Sequence, residues 1–160
     1  MTTAPMDVGA FLEARGDAIL STAQEAVMRH RLVHYEVAGA AITSERLRAL
    51  LDVLVRCCHD HSVEQALQYG EWLAVDRHAS GHSLGEVQTA VNVLEEVVWQ
   101  SLTSDAPADA LGYALGVVST VLGAVKDRLA CTYVSQVSSK PLGTLRLDSL
   151  FAGTEGSLPT

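Results

Sequence analysis

Apolar residues recur along this chain every three or four positions, the period of a helix with one covered face. Helices are expected from about Asp7 to His30, from Ser44 to Asp60 behind a Thr43 cap, from Val63 to Ser80, from Leu84 to Leu102, and from near Pro107 to about Ser138. No stretch alternates β-branched or aromatic residues with polar ones between turns, so no strand is expected and the fold class is all-α. Residues 31–42 carry mixed signals, and a short extra helix there stays open. Beyond Lys140-Pro141 the chain is rich in Gly, Ser and Thr and reads as a flexible tail with one apolar patch, Leu145, Leu147, Leu150 and Phe151. The expected division is a helical domain, 1–139, and a tail, 140–160.

Helical projection assigns faces. In the fourth helix Leu84, Val87, Ala90, Val91, Val93, Leu94, Val97, Val98 and Leu102 fill one half, and Gln88, Thr89, Asn92, Glu95, Glu96 and Gln100 the other. The Glu95-Glu96 pair reads as a solvated face. Trp99 projects into that polar half. Trp72 does the same in the third helix, opposite the stripe Val63, Ala66, Leu67, Tyr69, Gly70, Leu73 and Ala74. Each indole is either inside a helix covered on two sides or on a surface where a partner docks, a setting that favours tryptophan. Trp72 and Trp99, with Leu147, Leu150 and Phe151, are the candidate partner surface.

The fifth helix carries no charge from Ala110 to Val125. That stretch is too short and too rich in Ala and Gly for a membrane span, and a helix apolar all round is normally covered all round. Its large residues, Leu111, Leu115, Val118, Leu122, Val125, Leu129 and Tyr133, form a heptad seam sufficient to attach it to its own core. Roughly 100° away runs a seam of small residues, Gly112, Gly116, Ser119, Gly123 and Ala130. Each glycine in a helix interior costs up to about 1 kcal/mol relative to alanine. Three along one line predict close approach by another helix, and the expected occupant is a second copy in a homodimer.

The junctions hold the histidines. His78 and His82 are four apart, a ligand spacing on a helix, but Gly81 between them is a helix-ending residue, so the corner reads as structural and no metal is expected. Ser83 and Glu86 have the spacing of a capping box, as do Ser62 and Gln65. His59 and His61 close the second helix as cations near a C-terminus.

A formal charge of -8, with no basic cluster, excludes nucleic acid as a partner. The N-terminus lacks a basic start followed by an apolar run, so a cytoplasmic protein without a membrane anchor is expected. Cys57, Cys58 and Cys131 are poorly spaced for disulfides or zinc and are expected as reduced core thiols. No nucleophile elbow, phosphate-binding loop or HExxH is present, and a non-enzyme without cofactor is expected.

The run HSLGEVQTAVNVLEEVVWQSL, preceded by ALQYGEWLAVDRHASG and TSERLRALLDVLVRCC, resembles the N-terminal domain of RsbR-type stressosome co-antagonists over about Phe11 to Ser138. That resemblance implies a globin-like helical fold without haem, dimerisation, and a role as a signal-input module in bacterial stress or two-component signalling. Such proteins commonly continue into a STAS domain or a kinase, whereas this sequence runs only from Ser138 to Thr160 past the last helix. The expectation is therefore a freestanding sensor or adaptor docking onto other signalling proteins, of STAS or kinase type. The rival is a globin-like protein that binds haem or another small ligand, with His30, His34 or His78 as axial candidates.

Overall fold

A computed structural model describes residues 6–30 and 39–139. These form five helices: α1 (Val8–Arg29), α2 (Ala40–Asp60), α3 (Glu64–Ala79), α4 (Leu84–Asp105) and α5 (Ala108–Ser139). The described residues contain no strand, and the fold is all-α. Glu13 reaches His59 and Asp17 reaches Arg48, so α1 and α2 lie antiparallel. α1 also packs on α4, while α5 packs on both α3 and α4 and closes the bundle. Leu12, Leu54, Leu94, Leu102, Leu122 and Leu129 are fully buried and tie four of the helices into the core. Burying one such side chain stabilises the fold by roughly 1.5–3 kcal/mol.

Local chemistry sets the corners. The Asp7 carboxylate accepts from the Ala10 N–H at 2.9 Å and starts α1. Gly81 adopts φ 80°, its N–H donates to the His78 carbonyl and the His82 N–H to the Arg77 carbonyl, the paired bonds that end a helix at a left-handed glycine. The expected capping box follows: Glu86 N–H donates to Ser83 Oγ at 3.2 Å, and Ser83 N–H to the Glu86 carboxylate at 3.1 Å. Ala106 is extended, as the residue before a proline prefers, and α5 begins just past Pro107.

Two helix starts differ from expectation. α2 begins at Ala40, not behind Thr43. Gly39, at φ 84°, turns the chain, and the buried Thr43 hydroxyl donates back to the Gly39 carbonyl at 3.0 Å, as a threonine inside a first turn does. At α3, Ser62 and Gln65 do not form a capping box. Ser62 Oγ accepts from the nearer Glu64 N–H, and the Gln65 amide donates to Asp60 at 2.7 Å. Residues 31–38 and the tail patch lie outside the described residues.

α3 crosses α5 closely at Gly70. A Cβ placed there would lie 2.7 Å from the Val125 carbonyl oxygen and 3.1 Å from the Arg128 Cβ. His78 meets Tyr133 further along both helices, ring centroids 5.1 Å apart, so α3 and α5 run parallel. Tyr133 also donates its hydroxyl hydrogen to the His82 carbonyl, binding the α3–α4 corner to α5.

Candidate interaction surface

α5 sorts its residues as the heptad reading expects on one side. Val118, Leu122, Val125 and Leu129 are wholly buried, and Leu111, Leu115 and Tyr133 are half-buried at the edges. The seam of small residues faces outward. Gly112 and Gly116 are exposed, Ser119, Gly123 and Ala130 are half-covered, and a Cβ on any of the three glycines would meet nothing within 4 Å. The expectation that an apolar helix is covered all round therefore fails within this chain. The argument from length against a membrane span fails too: Ala108–Ser138 is long and apolar enough, by length and composition alone, to cross one.

The open face continues past the residues expected for it. At 100° per residue, Val134 and Val137 lie on the line of Gly112, Gly123 and Ala130, and they are 58% and 43% exposed. Their place on the wheel was legible in the sequence, but the core offers a valine so many sites that exposure was not. Beside Gly112 and Gly116 a groove of about 740 Å³ opens between α5 and the α2–α3 corner, walled by Cys57, Val63, Tyr113 and Val117. Burial raises the thiols of Cys57 and Cys58 above the usual range, Cys58 to about 11, and both are free. Cys131, expected in the core, is exposed, because it projects to the flank of the open face.

Both tryptophans are outside. Trp72 is 53% exposed, its ring 5.6 Å from that of Tyr69, and Trp99 is 43% exposed beside Glu95, Glu96, Gln100 and Thr103. Leu147, Leu150 and Phe151, expected to share in the partner surface, lie outside the described residues. Glu95 departs from the solvated reading. Its carboxylate accepts from Lys126 Nζ at 2.5 Å, Asn92 accepts from the same nitrogen at 3.2 Å, and the trio joins α4 to α5. Glu96 stays exposed.

The histidines are dispersed. His59 does not cap α2. Its ring covers Gly9 and meets Glu13 at 3.2 Å and Asp7 at 3.9 Å, a bridge from α2 to α1 that only tertiary packing creates. His61 ends α2 through its backbone, at φ 49°. His82 is buried at its corner, His78 packs edge-on against Tyr133, His30 is exposed, and His34 lies outside the described residues. Among the described residues, no group of three or more His, Cys, Asp or Glu side chains could hold a metal ion. Arg77, which the apolar stripe of α3 did not include, is buried, with Asp76 at 3.0 Å from its guanidinium.

No family model, curated protein or solved structure matches this chain. The candidate surface comprises a long ridge on α5 that is uncharged from Gly112 to Val125, a groove at one flank of it, and two exposed indoles.

Proposed function

We propose that this protein is a non-enzymatic, cytoplasmic regulatory domain that pairs with a second copy through the open face of α5 and docks signalling partners through Trp72 and Trp99. The observation that carries the reading is the empty space over Gly112, Gly116 and Gly123. An exposed helix interior gains about 0.5–1 kcal/mol when glycine becomes alanine, so three uncovered glycines on one line disfavour the isolated fold and favour a surface that a neighbour must approach closely. The large seam of the same helix is consumed by the bundle, which leaves the glycine side for that neighbour.

The sequence likeness to RsbR-type input domains supports a globin-like, haem-free sensor with STAS-domain or kinase partners, and the excess of acidic residues argues against nucleic acid. Light scattering tests the pairing. A dimer mass is expected for the native chain, and a monomer or aggregate for Gly116→Leu, whose side chain fills the approach. An unchanged mass and stability in that variant removes the proposal. The groove beside Gly112 supports a second reading, small-ligand binding, and a Soret band on haem titration that is lost when the groove is filled by Val63→Trp would favour it.

A further inference from the structure

Arginine is poorly suited to an apolar interior, because its guanidinium cannot shed its charge there. Arg77, in the last turn of α3, is nonetheless only 6% exposed. Its Nη1 meets the Asp76 carboxylate at 3.0 Å. Its Nε is buried too, and among the described residues no atom accepts a hydrogen bond from it. A guanidinium N–H shut away from water is costly without an acceptor, so the inner side of Arg77 calls for one.

The surroundings indicate what that acceptor is. A small cavity of about 20 Å³ lies where α2, α3 and α4 meet. Tyr69, Leu73 and Arg77 recur every fourth residue on one face of α3 and form one wall, with Arg46 of α2 and Val91 of α4 among the others. The rest of the lining is aliphatic. Arg46 Nη1 is buried as well, so two guanidinium groups border a space with room for about one water molecule. Two positive charges beside one small apolar space repel each other, and a negative charge between them turns that repulsion into two attractions.

Water fits this volume but not its chemistry. A water that accepts from the arginines needs acceptors for its own two hydrogens, and among the lining side chains only the Tyr69 hydroxyl can accept. A ligand that only accepts has no such need. Sulfate or phosphate, with five heavy atoms, exceeds the room for about one water. We propose that the cavity binds a single monatomic anion, chloride being the common one, between Arg77 Nε and the Arg46 guanidinium. The Arg77 carbonyl accepts from the His82 N–H, so an anion that fixes Arg77 also fixes the α3–α4 corner. The site is independent of any pairing through α5.

Thermal melts of the native chain at constant ionic strength, with sodium chloride replacing sodium gluconate, read the binding in solution. The melting temperature is expected to rise and then saturate, by about 3–6 °C at ten times the dissociation constant. Bromide should act as chloride does, and its anomalous scattering in crystals grown in sodium bromide should give one peak between Arg77 Nε and Arg46. Arg77→Met keeps the length, removes the donors and should abolish the chloride dependence. Ala90→Val narrows the cavity while keeping both arginines, and it makes the same test if Arg77→Met does not fold. Melts that move equally in both salts overturn the proposal, as does a bromide peak in the crystal without a shift in solution, the mark of an adventitious ion only. A chloride dependence that survives in either variant overturns the location.

Discussion

Gly70→Ala is a one-carbon test of how α3 and α5 meet. The added Cβ would stand 2.7 Å from the Val125 carbonyl oxygen, where ordinary contact begins at 3.4 Å, and its obstacle is backbone that cannot rotate away. The helices must separate by several tenths of an ångström, which strains the packing of Leu73 and Leu129 on either side. Overpacking of this kind costs about 1–3 kcal/mol, and the gain in helix propensity returns at most about 1 kcal/mol. The expected net loss is about 1–2 kcal/mol, or about 2–8 °C in melting temperature for a chain of this size. Gly16→Ala is the control: it sits inside α1 with its nearest obstacle, a Leu51 methyl, at 3.7 Å, and should gain about 0.5–1 kcal/mol. Neither position lies on the open face of α5, so dimerisation does not enter the comparison. Thermal melts that place Gly70→Ala at or above the native chain while Gly16→Ala rises would refute the close crossing.

Ser83→Ala should lower stability by about 1 kcal/mol in urea titrations, since it removes the hydroxyl that accepts from Glu86 N–H; no change would mean the box contributes nothing. Burial raises Cys58 from 9.0 to about 11, so folding keeps its proton while the unfolded chain loses it. That contribution is complete below about pH 9 and is lost as pH rises toward 11, and the urea midpoint should fall more steeply there for the native chain than for Cys58→Ala; equal slopes contradict it. Lys126→Met and Glu95→Gln, singly and together, should show a coupling of about 1 kcal/mol in a double-mutant cycle, above the level of a solvent-exposed pair, because both side chains are mostly covered.

Most helix bounds and the buried half of α4 could be read from the chain because they depend on neighbours in sequence. Ser83 and Glu86 find each other within one turn, and Gly81 needs only its own backbone freedom. Thr43 misled for a related reason: its hydroxyl can cap a helix or fold back onto the preceding turn, and Gly39 decided for the second. Features made by distant residues were not legible. His59 over Gly9, Lys126 between Asn92 and Glu95, and Gly70 against Val125 each join different helices, and no local period announces them. The glycine ridge was legible as a line, while its continuation through Val134 and Val137 depended on where the core stops.

That core stops at Tyr133. Its hydroxyl anchors α5 to the α3–α4 corner, and Val134 and Val137 beyond it are exposed. A torque applied to the end of α5 is thus delivered through Tyr133 to the His82 corner, where it bears on the first turn of α4.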